Sequence, residues 1–95
     1  MPRAQPPAPP TWQPPVVTAG AVSLAWTCDA DDLQSLVLRR SNGALWRPLS
    51  PWAAGGNYAF SDTTVAAGTG YAYRVRVRDT VGHVVDGPTL DITAI

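Results

Sequence analysis

Apolar and polar residues alternate with a period of two along residues 68–78, a pattern typical of a half-buried β-strand. One face of this strand is predicted to face a core and to carry Tyr71, Tyr73, Val75 and Val77. The other face carries Ala72, Arg74, Arg76 and Arg78. A strand with one apolar and one wet face belongs to an antiparallel sheet.

Further strand and turn signals follow at the short spacing of an all-β sandwich. Residues 21–27 alternate again, and Val22, Leu24 and Trp26 are predicted to point inward. Leu36 and Leu38 are predicted to face the core from a strand that ends at Arg40. The remaining expected strands cover residues 16–18, 45–47, 58–60 and 90–93, with turns at 41–44 and 81–83. No helix is needed.

The chain has 95 residues, enough for one small domain, and seven of its ten prolines lie in residues 1–15. This composition predicts an extended, Pro-rich arm over 1–15 and a β-sandwich over 16–95. Repeated proline excludes the helix of a secretory signal, and no apolar run approaches the length of a membrane span. The chain begins with Met1 and carries no visible export address, so we expect it to act without export or membrane insertion.

The charges are seven Arg and seven Asp, with no Lys, no Glu and a net charge of zero. Without a basic excess, nucleic acid is an unlikely class of partner in this prediction. Cys28 is the one cysteine, so an internal disulfide is excluded and stability must come from packing.

The pattern resembles the fibronectin type III domain over residues 16–95. Residues 22–27 are similar to the family's second strand with its core tryptophan, residues 36–40 to its third strand, and residues 77–83 to the hairpin before its last strand. Val65, Gly68, Thr69 and Tyr71 stand where the family has its tyrosine corner. The resemblance implies an immunoglobulin-like, seven-strand Greek-key sandwich. It also implies that the Tyr71 hydroxyl bonds back to the preceding connection.

The sequence offers few residues that could act as a catalytic nucleophile, acid or base. His83 and Cys28 have no plausible nucleophile or base beside them, and His83 is predicted to be a solvated turn residue. Asp29, Asp31 and Asp32 could offer oxygens to calcium, but the twelve-residue frame of an EF-hand is missing. The alternative is a solvated turn. We therefore expect no enzyme activity, no cofactor and no metal.

Two sets of residues are candidate contact sites. The first is a ladder of Arg74, Arg76 and Arg78, with Arg39 expected near it and Asp91 as a candidate cross-strand partner. Such a ladder either grips carboxylates or an acidic polymer, or is a solvated face. The second set is the tryptophans outside the core, Trp46 and Trp52, together with an arm site made of Arg3, Pro9, Pro10 and Trp12.

The tryptophans have two interpretations. Trp26 has a place in the core, whereas Trp12, Trp46 and Trp52 cannot all fit in so small a sandwich. Exposed tryptophans would anchor a partner, because an aromatic ring supplies large contact area at a small entropic cost. Alternatively, Trp12 folds back as a lid on the sandwich edge and Trp52 covers one end.

The leading hypothesis is a non-enzymatic accessory protein on the virion surface of a bacteriophage, made in the host cytoplasm. In it the arm docks on capsid or tail subunits, and the sandwich projects outward with weak adhesion to host glycans. An Arg-only, Ala-rich composition suits a GC-rich bacterial host. The alternative is a spacer or carbohydrate-binding module of an extracellular polysaccharide-degrading enzyme, with the Pro-rich start as its linker.

Overall fold

A computed structural model describes residues 7–28, 33–41, 44–54 and 58–95. Within these ranges the chain is built from strands and turns, and none of it is a helix able to cross a membrane. The strands are β1 (Thr11–Trp12), β2 (Val16–Thr18), β3 (Ala21–Thr27), β4 (Gln34–Ser41), β5 (Arg47–Pro48), β6 (Ala53–Ala54), β7 (Ala59–Asp62), β8 (Gly70–Arg78), β9 (Val84–Asp86) and β10 (Leu90–Thr93).

Two antiparallel sheets pack face to face. In the smaller sheet β3 lies between β7 on one side and β1 and β2 on the other. In the larger sheet β4 and β8 pair over eight residues at the centre, with β5 and β6 beside β4 and with β9 and β10 beside β8. The all-β, immunoglobulin-like sandwich predicted from the sequence is confirmed.

Three edges of the sheets are interrupted strands, and prolines lie at or beside each interruption. Pro14 and Pro15 separate β1 from β2, Pro48 and Pro51 flank the gap between β5 and β6, and Pro88 lies between β9 and β10. Proline has no N–H to donate to a ladder and is confined to edges and bulges. If each interrupted edge counts as one strand, the described residues make the seven strands of the predicted topology.

The core lies between the two sheets and comes from alternate positions of the long strands. Val22, Leu24 and Trp26 of β3 are buried in it as predicted, and Tyr73, Val75 and Val77 of β8 face them. Trp26 donates its indole Nε1–H to Ser35 Oγ at 3.3 Å, which satisfies both polar groups inside the sandwich. This bond joins β3 of one sheet to β4 of the other.

The expected tyrosine corner is confirmed. The hydroxyl of Tyr71 accepts a hydrogen bond from the backbone N–H of Ala66 at 2.8 Å. Gly68 has a φ of 81°, a left-handed conformation that glycine adopts without steric cost, and its N–H donates to Ala94 O at 2.8 Å. The corner therefore fixes the chain where it crosses to β8.

The prediction that Leu36 and Leu38 face the core is wrong. In the register of β4 and β8, Leu36 pairs with Arg76 and Leu38 with Arg74, so both leucines share the outward face with the arginines. Val37 takes the core position between them. Residues 36–38 are an unbroken apolar run, and such a run does not reveal which alternate residues point inward.

Candidate binding face

Arginine and tryptophan side chains cover the outward surface of the larger sheet. We call this surface, made of Arg40, Trp46, Trp52, Arg74, Arg76 and Arg78, the Arg–Trp face. The predicted ladder of three arginines on β8 is part of it. Arg40 joins the ladder because it pairs with Ala72 across the β4–β8 register.

Each tryptophan of the face lies against guanidinium groups. Arg74 Cζ is 4.2 Å from the ring centroid of Trp46, and Arg40 Cζ is 4.8 Å from the same centroid. Arg78 Cζ is 4.1 Å from the ring centroid of Trp52. These distances are those of cation–π contacts. Both rings are half-buried, so each one covers the sheet and also presents part of its surface to solvent.

Asp86 of β9 is the carboxylate that contacts the ladder. Arg76 donates from Nε to Asp86 Oδ1 at 2.7 Å and from Nη2 to Oδ2 at 3.2 Å, while Arg74 Nη1 lies 3.6 Å from Oδ2. The bidentate hydrogen bond raises the pKa of Arg76, and the same bond lowers the pKa of Asp86. The predicted cross-strand partner Asp91 does not take this role, because the β8–β9 register sets Asp86 opposite Arg76.

The face also buries the two outward leucines. Leu36 and Leu38 keep only 7% and 3% of their surface exposed, although neither belongs to the core between the sheets. Arg76 and Arg74 stand opposite them, and long arginine stems cover apolar surface. The Nε of Arg74 is itself buried, and only part of its guanidinium reaches solvent. The guanidiniums are therefore held at fixed positions on a packed support.

Arg39 lies away from the ladder, contrary to the prediction. It pairs with Tyr73 rather than with an arginine of β8, so its side chain is on the inner side of the sheet. There its Nη1 donates to Asp62 Oδ2 at 2.8 Å and to Thr64 Oγ1 at 2.7 Å. The one-residue shift that turns Leu38 outward turns Arg39 inward.

Asp62 is the centre of a polar cluster that is not among the predicted sites. Its side chain is 2% exposed and accepts hydrogen bonds from Arg39, from the Tyr73 hydroxyl at 2.7 Å, and from both the N–H and the hydroxyl of Thr64. Because Asp62 belongs to β7 while Arg39 and Tyr73 belong to β4 and β8, the cluster connects the two sheets.

Burial raises the pKa of the Asp62 carboxyl, but the hydrogen bonds from Thr64, Tyr73 and Arg39 outweigh it, so the net pKa is below its ordinary value. Burial, and then the bond to Asp62, raises the pKa of Tyr73. At neutral pH the pair is therefore a carboxylate and a protonated phenol. This is the combination that the hydrogen bond requires.

The end of the predicted arm packs on the sandwich. Thr11 and Trp12 pair with Thr27 and Trp26 as β1, so a strand of the sheet lies inside the segment 1–15 that was assigned to the arm. The rings of Trp12 and Trp26 meet edge to face at a centroid distance of 6.0 Å. Trp12 also donates its Nε1–H to Pro88 O at 2.9 Å. Of the two interpretations, these contacts favour a lid.

Gly87 is where the arm and the sandwich approach most closely. A Cβ built on Gly87 would lie 2.7 Å from Pro10 Cγ and 3.0 Å from its Cδ, closer than real Cβ contacts. Pro10 is buried at this point, whereas Pro9 is exposed. Glycine therefore permits the arm to lie against the connection from β9 to β10.

We expect Gly87→Ala to displace Pro10 and to lower the free energy of unfolding by about 1–2 kcal/mol, the usual cost of overpacking. The Trp12 indole N–H should exchange faster with solvent, since its bond to Pro88 depends on the same docking. Proton exchange followed by NMR measures this. Gly70→Ala is the control, because a Cβ there meets nothing within 4 Å. Unchanged exchange at Trp12 in the Gly87 variant would mean that the arm is held by other contacts.

His83 and Asp79 fix the turn from β8 to β9. Asp79 Oδ1 accepts from the N–H groups of Val81 and His83 at 3.0 Å each, and Oδ2 lies 2.7 Å from His83 Nδ1. The side chain of His83 is 35% exposed. Its predicted place in the turn is confirmed, with a carboxylate partner that was not expected.

Some predicted residues lie outside the described ranges. These are Arg3 of the arm and the calcium candidates Asp29, Asp31 and Asp32. Of the predicted turn at 41–44, residues 42–43 are also outside, but the N–H of Ala44 donates to Ser41 O at 2.9 Å, the hydrogen bond that closes such a turn. In the part of the chain that the structure describes, no group of three or more His, Cys, Asp or Glu side chains could hold a metal ion. Calcium at the aspartates thus stays untested.

The comparisons with known proteins identify the fold. No protein-family model and no curated protein sequence matches the chain. The fibronectin type III domain of human fibronectin type III domain containing protein 3 superposes with a TM-score of 0.70 at 17% identity, and the match covers 97% of this chain and 89% of that one.

Two bacterial enzymes contain a region of the same shape. Pectate lyase PelI from Erwinia chrysanthemi, in complex with tetragalacturonic acid, matches with a TM-score of 0.76 at 18% identity, over 88% of this chain. The β-1,2-glucanase from Parabacteroides distasonis matches with a TM-score of 0.74 at 18% identity, over 96% of this chain. The chain spans only 28% and 14% of these two enzyme chains. Together with the seven-strand topology and the tyrosine corner, these likenesses establish that the chain has the fibronectin type III fold.

Proposed function

We propose that this chain is a non-enzymatic binding module and that its Arg–Trp face binds acidic glycans. The observation that carries the proposal is the gathering of four arginines and two tryptophans on one outward sheet face, where Asp86 contacts Arg74 and Arg76, and Arg78 donates to the neutral Gln34. In the described ranges the four arginines outnumber the one carboxylate that contacts the face, so this face is locally cationic although the chain as a whole has zero net charge.

The chemistry of the face suits a carboxylated sugar polymer. Guanidinium groups bind carboxylates in a planar, bidentate geometry, as Arg76 binds Asp86. Tryptophan rings offer flat apolar area at low conformational cost. Because the Arg and Trp side chains support one another, little entropy remains to be lost on binding.

Affinity for tetragalacturonic acid is the direct test. We expect the chain to bind it in low salt, to bind a neutral galactose tetramer at least about tenfold more weakly, and to lose affinity as salt screens the charges. The double variant Arg74→Gln/Arg78→Gln should lose about tenfold in affinity. Isothermal titration calorimetry measures these differences.

Arg47→Gln is the matched control, because Arg47 is exposed and pairs with Arg39, which puts it on the other side of the sheet. The Arg47→Gln variant should bind tetragalacturonic acid with the affinity of the unaltered chain. Equal binding of the acidic and neutral tetramers would contradict the proposal. So would full affinity in the double variant. A tetramer that is cleaved by the pure chain, as followed by mass spectrometry, would contradict a non-enzymatic role.

For the setting of this module we propose the surface of a bacteriophage particle, where it would decorate capsid or tail and adhere to host glycans. The Arg-only, Ala-rich composition suits a GC-rich bacterial host, and the Pro-rich sequence before Pro10 provides a segment for docking on a particle subunit. Antibodies to the chain should label particles made by cells that produce it. Labelling of a secreted enzyme alone would contradict the virion setting.

The second candidate is a carbohydrate-binding or spacer module of an extracellular polysaccharide-degrading enzyme. The likeness to parts of a pectate lyase and a β-1,2-glucanase favours it. In this setting the chain would concentrate an enzyme on its polymer. Both candidates require the same glycan contact, so the tetragalacturonic acid titration tests their common basis.

A further inference from the structure

A groove of about 320 Å³ opens on the larger sheet beside the Arg–Trp face. It lies where β4, β8 and β10 run side by side, and Arg40, Gly70, Ala72, Asp91 and Thr93 are among its lining residues. Its volume is at the lower end of the range of small-ligand sites. A groove of this size admits one sugar residue rather than a long segment.

The strand register places a cationic side chain, Arg40, and an anionic one, Asp91, on opposite sides of the groove. Arg40 pairs with Ala72 on one side, and Asp91 pairs with Ala72 on the other. Directly paired residues point to the same face of a sheet, and neighbouring strands are about 4.8 Å apart. The backbones of Arg40 and Asp91 are therefore separated by about 10 Å, with Ala72, which keeps 9% of its surface exposed, between them.

The Arg40 guanidinium and the Asp91 carboxylate do not form an ion pair with each other. The guanidinium of Arg40 lies over Trp46, a contact that leaves N–H donors at its edge for a further acceptor. In the described part of the chain, the Asp91 carboxylate has no hydrogen bond or ion pair, and its residue is exposed. The groove thus offers a donor group and an acceptor group among its lining residues.

We propose that this groove binds one hexuronic acid residue of an acidic glycan, and this inference rests on the proposed function. The sugar carboxylate pairs with Arg40, the ring hydroxyls donate to Asp91, and the ring lies over Ala72. Sulfate groups of a sulfated polymer can pair with guanidiniums elsewhere on the face. A sulfated polymer can thus bind without the groove, whereas a uronic acid residue gains the groove contacts in addition. The groove therefore gives the module a preference for uronic acids over other polyanions.

The test variant is Ala72→Leu, which adds volume at the floor of the groove and alters no charge. We expect it to lower affinity for tetragalacturonic acid at least about fivefold and to leave the affinity for dextran sulfate unchanged. Ser23→Leu is the matched control, since Ser23 is an exposed strand position of the smaller sheet. In the unaltered chain, the Ala72 methyl should give intermolecular nuclear Overhauser effects to the sugar ring protons.

The outcomes separate the groove from the function. If Ala72→Leu folds and binds tetragalacturonic acid fully, while Arg74→Gln/Arg78→Gln loses it, the groove assignment is wrong and the proposed function stands. If a bound tetramer gives no contact with the Ala72 methyl, the assignment is also wrong, and this measurement does not depend on any variant. If the unaltered chain binds no acidic glycan, both the groove assignment and the proposed function are wrong.

Discussion

Asp62→Ala is expected to lower the free energy of unfolding by about 3 kcal/mol, because it leaves Arg39 without its carboxylate and the buried Tyr73 hydroxyl without its acceptor. Small domains have a total stability of about 5–15 kcal/mol, so this is a large fraction. Urea unfolding followed by tryptophan fluorescence measures the change. Asp91→Ala is the matched control and should alter stability by less than about 0.5 kcal/mol, since Asp91 is exposed.

The pH dependence of stability should change in the same variant. The Asp62 pKa is lower in the folded chain than the value of about 3.9 expected when unfolded, so its contribution is complete above pH ~3.9. It is lost as the pH falls from there through the folded pKa. Asp62→Ala should therefore flatten the acid limb of the stability profile, though not abolish it, because Asp79 and Asp86 also have lowered pKa values. An unchanged acid limb would contradict the role of the cluster.

Trp26→Ala should cost about 4 kcal/mol, in the range found for large aromatic residues truncated in cores. Trp26 is 6% exposed, bonds to Ser35 of the opposite sheet, and supports Trp12 through the edge-to-face contact. The loss should also release β1, so we expect the N–H groups of Gln13 and Trp12 to exchange faster. Circular dichroism during chemical unfolding measures the first effect, and amide exchange measures the second.

Trp52→Ala provides the comparison for Trp26, because Trp52 is half-buried against Arg78 on the outward face. It should lose about 1 kcal/mol, the value of an exposed cation–π contact. Should Trp26→Ala fail to fold, Trp26→Phe keeps most of the ring volume and tests the bond to Ser35. Similar losses for Trp26→Ala and Trp52→Ala would mean that the core does not centre on Trp26.

The long strands could be predicted from the sequence because their alternation is unambiguous. β3, β8 and β10 alternate with a period of two, and their observed bounds match the predicted ones closely. β4 was predicted as a strand with the wrong face inward, since Leu36, Val37 and Leu38 are all apolar. Only the pairing of β4 with β8, a contact distant in sequence, decides which of them enters the core.

The candidate site could be predicted in part for the same reason. The arginine ladder follows from the alternation of β8 alone. The stacking of Trp46 on Arg40 and Arg74, and of Trp52 on Arg78, depends on where the connection after β4 lies, and no local pattern encodes this. Asp62 was missed because a single aspartate near a strand end is usually a turn residue.

Binding of acidic glycans by the Arg–Trp face can be located by an NMR titration of the ¹⁵N-labelled chain with tetragalacturonic acid. We expect the indole N–H signals of Trp46 and Trp52 and the Nε–H signals of Arg74 and Arg78 to shift, while the indole signals of Trp12 and Trp26 stay in place. No shift on this face at millimolar ligand, or shifts confined to the smaller sheet, would contradict binding by the Arg–Trp face.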